Sequence, residues 1–123
     1  MKPKEFSDES FFQEIIENGQ LRAVIVIGAQ YSADVFRMVN RAMPAIAESY
    51  GERVLFGFVY THDRRGEVVN PLVFQRYPIG THPLILGFKK GIEVCGRIVS
   101  MGNIDQQMAD LKMVARRVLM RPR

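Results

Sequence analysis

The side chains able to do chemistry in this chain are few, and their spacing excludes more than it supports. Cys95 is the only cysteine, so no disulfide within the chain and no cysteine-built zinc site can form. A lone thiol can still sense oxidants, carry glutathione or join two copies, which makes Cys95 the candidate reactive thiol. Arg97 would favour its thiolate if both were exposed. The ordinary role of a free cysteine in a strand is a small buried hydrophobe. The two histidines, His62 and His82, lack the further convergent ligands that a metal requires. Gly28, Gly57 and Gly66 are isolated and fit no phosphate-binding loop. No metal and no cofactor is expected.

Charge is the other chemical resource. Seventeen Lys and Arg face 13 Asp and Glu, for a net charge of +4. Arg116, Arg117, Arg121 and Arg123 form the densest basic cluster, and Arg64–Arg65 a smaller one. Such clusters attract phosphate backbones, so association with nucleic acid is an alternative function. The aromatic interleaving that single-strand binding uses is missing, and basic residues also complement a helix C-terminus. Nucleic acid is therefore not the expected partner.

These residues have to be positioned by a core. At 123 residues, 47% hydrophobic and 24% charged, the chain is expected to form one globular domain over 1–123. Its longest apolar run, Ala23 to Ala29, is too short to span a bilayer, and its first residues lead into no signal-peptide core. A cytoplasmic protein with no membrane partner is expected.

Ser7-Asp8-Glu9-Ser10 reads as a helix start with Ser7 as cap, Phe11 and Ile15 on the apolar face and Asn18-Gly19 as the stop. Ala23 to Ile27 is a continuous β-branched run, as in a strand covered on both faces. A second helix follows the polar junction Gln30 to Asp34, with Val35, Val39, Ala42, Met43 and Ile46 at helical spacing and a kink at Pro44. Val54 to Tyr60 is another buried strand, Asp63 to Gly66 a turn, and Asn70-Pro71 the start of a short helix to Arg76. Pro83 to Phe88 and Ile92 to Val99 read as a hairpin turning at Lys89-Lys90-Gly91. In its second strand, Val94, Gly96 and Ile98 face one way and Cys95, Arg97 and Val99 the other. A last helix, capped by Asn103, runs from Ile104 to Met120. Most methionines, Met38 and Met43 among them, serve as core filling, while Met113 and Met120 lie off the apolar stripe and suit an adaptable partner surface.

That order, α-β-α-β-α-β-β-α, and several segments within it resemble thioredoxin. Ser7 to Phe11 resembles the start of its first helix, Ala23 to Ala29 its central strand, and Arg76-Tyr-Pro-Ile-Gly-Thr-His-Pro83 the approach to its cis-proline. Leu84 to Gly91 resembles the hairpin that follows. The resemblance implies an α/β thioredoxin-like fold, a central mixed β-sheet sandwiched between helices, with Pro83 cis. It also locates the departures. The family's Cys-x-x-Cys falls on Ser32-Ala33-Asp34-Val35, and its buried acid on Val26. A dithiol reductase needs an attacking thiolate and a resolving thiol, which serine and valine cannot replace.

With Pro83 cis, the resemblance brings Tyr31, Ser32, Asp34, Thr81, His82 and Pro83 onto one surface. Ser32, His82 and Asp34 are the residue types of a nucleophile set, yet no nucleophile elbow or oxyanion hole accompanies them. Ser32 or Asp34 is more simply a helix cap. In thioredoxins this patch grips extended polypeptide, and without thiols it would remain a protein-docking site. The expectation is a redox-inactive protein-binding, chaperone or assembly factor of bacterial origin, acting on a protein or extended-peptide partner, with a homodimer left open. Bacterial hydrogenase-maturation proteins and Dim-type spliceosomal proteins share the fold without the dithiol, and no signature here selects either. Monothiol chemistry at Cys95 is the enzymatic alternative.

Overall fold

Alternation along one strand organises the whole molecule. In the computed structural model, which describes residues 2–19, 22–79, 81–94 and 96–120, β2 (Arg22–Gly28) is buried from Ala23 onward. Its Val24 and Val26 join one apolar cluster, and Ala23, Ile25 and Ile27 join another. A strand with period-two side chains and no polar position must be covered on both sides, and it is.

β1 (Lys4–Glu5) pairs parallel with β3 (Leu55–Tyr60), β3 pairs parallel with β2, and β2 pairs antiparallel with β4 (Leu84–Lys89). β5 (Ile92–Glu93) and β6 (Ile98–Val99) both pair antiparallel with β4. The sheet order is β1-β3-β2-β4-β5, with β6 beside β4.

One face carries the helical segments from Ala33 to Tyr50 together with α5 (Ile104–Leu119); Met38, Ile46, Leu111 and Val118 pack there on Val24, Val26 and Ile85. The other face carries α1 (Asp8–Ser10), its wider π-helical continuation Phe11–Glu17, and α4 (Pro71–Arg76). Phe11 stacks edge-on against Phe88 and Tyr77 there, with ring centres 5.8 and 6.3 Å apart.

Three differences from the sequence reading have physical causes. β1 was not anticipated, because two charged residues carry no strand pattern. Its anchor is buried Phe6, whose ring lies where a side chain at Gly57 would stand and whose N–H donates to Phe58 O at 2.8 Å. Before Pro44, where a kink is expected, the winding changes. α2 (Ala33–Arg37) runs into a π-helical turn, Met38–Ala42, and then into α3 (Met43–Tyr50). Proline has no N–H for the i−4 carbonyl, and the looser turn before it accommodates that loss.

The single strand expected over Ile92 to Val99 is broken into β5 and β6, and Val94, Gly96 and Arg97 belong to neither, so strand alternation does not place them. Arg97 turns back onto Glu93 Oε2 at 3.2 Å and lies 4.8 Å from the Tyr77 ring centre. The turn between β4 and β5 is the expected one. Lys90 and Gly91 both have positive φ, 53° and 79°, the two-residue hairpin geometry that matches strand twist.

Candidate functional site

The site forms where β2 and β3 end and α2 begins. Beyond Gly28 the chain turns through Gln30 and Tyr31, and Ser32 N–H donates to Ala29 O at 3.1 Å. The helix is seated closely on the strand end, since a Cβ at Gly28 would collide with Val35. Ser32 is the N-cap: its Oγ accepts the Val35 N–H at 3.4 Å and donates to Thr81 O. The hydroxyl therefore has two structural tasks, capping α2 and tethering the loop before β4.

Past the end of β3 a second loop lies alongside. Thr61 N–H donates to Gly28 O at 2.9 Å and Gln30 N–H to His62 O at 2.8 Å. His62 bridges to Val68, and Asp63 Oδ1 accepts the N–H groups of Arg65 and Glu67 at 2.9 and 3.0 Å. The expected turn at Asp63 to Gly66 is thus a small closed hairpin that holds Arg64 and Arg65 outward. The His62 ring lies 6.0 Å from Tyr31 and 4.6 Å from Phe74, edge-on in both cases. A shallow open groove results, lined by Gln30, Tyr31, Ser32, Ala33, Phe36 and Arg64. Tyr31 and Phe36 each expose close to half of their surface beside it, 47% and 49%.

Asp34 belongs to a polar lattice rather than to a reactive set. Arg37 Nη2 donates to Asp34 Oδ1 at 2.9 Å and to Gly102 O at 2.7 Å, while Arg37 Nε donates to Gln107 Oε1 at 3.0 Å. Gln107, fully buried, returns its amide N–H to Asp34 O at 2.9 Å. His82 Nδ1 stands 3.5 Å from Asp34 Oδ2. His82 thus faces Asp34 while the Ser32 hydroxyl is engaged with Thr81, so the nucleophile–base pair that a Ser–His–Asp reading requires is not assembled.

The six residues expected on one surface do gather here, but they are not equally available. Tyr31 and Thr81 are exposed, Asp34 and His82 partly so, and Ser32 and Pro83 are buried. The expectation of a cis Pro83 is corrected: no peptide bond among the described residues is cis, and His82–Pro83 is trans. Trans is the lower-energy state of such a bond by about 0.5–1 kcal/mol. The Pro83 carbonyl accepts the Ser100 N–H at 2.8 Å. Cys95 lies outside the described residues, as do Arg121 and Arg123, whereas Arg116 and Arg117 are exposed on the last turn of α5.

Comparison with solved structures places this architecture. The long and short forms of thioredoxin f from spinach chloroplast superpose with TM-scores of 0.67 and 0.68, each at 17% identity over 92% of this chain. The match spans 86% and 93% of those chains, respectively. A chloroplastic thioredoxin z gives 0.65 at 16% identity, over 93% of this chain and 95% of its own. The fold is thioredoxin-like. No protein-family model matches the sequence, and neither does any curated protein. Within this thioredoxin-like frame the chain has one cysteine, and α2 opens with Ser32 as its N-cap and Val35 in its first turn.

Sequence reasoning missed Phe36, Arg37, Arg64 as a groove residue, and Gln107. Phe36 was legible as an aromatic residue standing off the Val35, Val39, Ala42 and Met43 stripe. Gln107 carried no such signal, because an amide on a helix is ordinarily solvated.

Among the described residues no group of three or more His, Cys, Asp or Glu side chains is arranged to hold a metal ion.

Proposed function

We propose that this protein is a redox-inactive, thioredoxin-fold binding factor that docks a protein or extended peptide at the surface around Tyr31, Asp34, Thr81 and His82. The observation that carries this reading is the groove at the start of α2, where Tyr31 and Phe36 leave large aromatic surface in water beside Arg64. Exposed aromatic residues flanking a concavity are the usual anchors of polypeptide interfaces. Hydrogen bonds hold their frame: Ser32 tethers the Thr81 loop, Arg37 and Gln107 join the start of α2 to α5, and Asp63 closes the neighbouring hairpin. Preorganised anchors lose little entropy on binding. Dithiol exchange would need two thiols near Ser32, and neither Ser32 nor Val35 supplies one. The role fits a chaperone or assembly factor, which binds a partner without transforming it.

The test has two arms. Reduction of an accessible protein disulfide by dithiothreitol should proceed at the same rate with and without the protein. Affinity capture should return a stoichiometric protein partner with wild type and lose it with Tyr31→Asp/Phe36→Asp, a pair exposed enough to leave the fold intact. Acceleration of the reduction, or a partner retained by the double variant, would overturn the reading.

A further inference from the structure

At the end of the sheet opposite Ser32, basic side chains fall into one row. Arg22 opens β2 and is the register partner of Lys89, which closes β4, and Lys89 is in turn the partner of Ile92 in β5. Cross-strand partners project to the same face. That face is the one α5 covers, because Val24, Val26 and Ile85, in step with Arg22 and Lys89, pack with Leu111 and Val118. Lys89 Nζ reaches the C-terminal end of α5 and donates to Met120 O at 2.9 Å. The last turn of α5 adds exposed Arg116 and Arg117, and the β4–β5 turn adds exposed Lys90.

Helix dipoles account for part of this charge. Lys89 satisfies the end of α5, and Arg53, at the same end of the sheet, donates to Ser49 O and Tyr50 O at the end of α3. Arg22, Lys90, Arg116 and Arg117 have no such assignment and form no ion pair among the described residues. The acids that end neighbouring segments, Glu17, Glu48 and Glu52, are not paired with them either. In the sequence, Arg121 and Arg123 follow directly.

The apolar side chains of this end decide what such a row suits. Ile92 and Met120, 67% and 65% exposed, are the two most exposed large hydrophobic residues described, and both belong to it. A phosphodiester backbone uses the cations but leaves these side chains in water, and the row offers no aromatic ring for base stacking. An anionic bilayer uses both. Cations meet the headgroups, and short apolar side chains reach the acyl boundary.

We infer that this end of the molecule docks peripherally on anionic lipid bilayers through Arg22, Lys89, Lys90, Arg116 and Arg117, with Ile92 and Met120 entering the interface. The expectation of no membrane partner rested on the shortness of the apolar runs. That concerns crossing a bilayer, and no helix among the described residues is long and apolar enough to cross one; lying on a bilayer is a different requirement. The inference is independent of polypeptide docking at the Ser32 end, which such an orientation leaves facing away from the lipid.

The experiment is co-sedimentation of the full chain with vesicles of phosphatidylcholine alone or with one-third phosphatidylserine, at low and high salt. Binding is expected only to the anionic vesicles, weakening as salt rises. Arg116→Gln/Arg117→Gln should weaken it about 25-fold, at roughly fivefold per cation. Ile92→Ser should weaken vesicle binding while leaving retention on heparin unchanged, a contrast that loss of folding would not produce. Equal binding to both vesicle types, no binding, or tight binding to duplex DNA with vesicle binding indifferent to Ile92→Ser would each overturn the inference, the last in favour of nucleic acid.

Discussion

The Asp8 carboxylate accepts the backbone N–H of Val73 at 2.9 Å and that of Leu72 at 3.0 Å, capping a helix that begins more than sixty residues later in the chain. α4 starts at Pro71, and its own N-cap residue, Asn70, gives it no side-chain bond. The Asn70 amide is used elsewhere: its Oδ1 accepts the Asp8 N–H at 2.9 Å and its Nδ2 donates to Tyr60 O at 2.6 Å. One carboxylate and one amide thus lock the start of α1, the end of β3 and the start of α4 together. The groove hairpin at His62 to Val68 lies between the last two of these.

Asp8→Ala should therefore lower stability by about 1–2 kcal/mol, the upper part of the range for a lost N-cap, because two helical N–H groups and a charge–dipole contact go together. Chemical denaturation should show a lower midpoint with an unchanged denaturant slope. Asp8→Asn should lose less, since an amide oxygen still accepts one of the two bonds. Equal stability of Asp8→Ala and wild type would mean that water replaces the carboxylate at no cost.

Ser32 can be separated into capping and chemistry by a single substitution. Ser32→Ala removes the acceptor for Val35 N–H and the donor to Thr81 O, for an expected loss of about 1–2 kcal/mol. Protection of the Val35 amide, whose acceptor is the Ser32 hydroxyl, against hydrogen exchange should fall with it. Partner capture should persist, because Tyr31 and Phe36 supply the contact surface. Loss of capture at full thermal stability would assign the hydroxyl to the interface instead.

What was legible in the sequence divides along physical lines. The β2 run, the apolar stripe from Val35 to Ile46, the Ser7 and Asn103 caps and the Lys90-Gly91 turn all express local rules of periodicity, capping and φ, and each stands where it was read. β1 was invisible, since its two residues pair with Gly57 and Phe58, some fifty residues away, and carry no strand pattern of their own. Between β5 and β6, Arg97 reaches Glu93 and Tyr77, a contact that strand alternation does not express. At the site, the clustering of Tyr31, Ser32, Thr81 and His82 came from the resemblance and not from spacing. The cis expectation for Pro83 came from the resemblance too, and the bond takes its locally favoured trans state. The Arg37–Gln107 lattice and the Asp8 cap join residues distant in sequence, for which no local pattern exists.

Gln107 offers a test of that lattice. Its side chain is wholly buried, accepts from Arg37 Nε and donates to Asp34 O, so it joins the first turn of α5 to the first turn of α2. Gln107→Ala leaves the Arg37 and Asp34 groups without their partner and should cost about 2–3 kcal/mol. Gln107→Glu keeps an acceptor for Arg37 but loses the donor, leaving the Asp34 carbonyl facing an oxygen, and should also destabilise. A variant as stable as wild type by thermal melting would show that water enters and replaces the amide.

Tyr77 and Tyr60 both bear on how the fold withstands alkali. Burial holds its phenol above the ordinary value of 10.0; Arg76 opposes this and Glu93 adds to it. Tyr60 is raised in the same sense, by burial and by Glu5. A phenol whose folded pKa lies above its unfolded value keeps its proton longer in the native state, so the unfolded chain binds fewer protons and stability falls as pH rises. The contribution is complete below pH 10 and disappears as pH climbs through the raised folded value. Denaturant melts taken from neutral pH to pH 11 should show a midpoint that is flat and then declines. Tyr77→Phe should lower stability modestly at pH 7, through loss of the 3.5 Å contact to Glu93 Oε1, and should flatten the alkaline decline. An unchanged alkaline slope in Tyr77→Phe would assign the loss to Tyr60 alone.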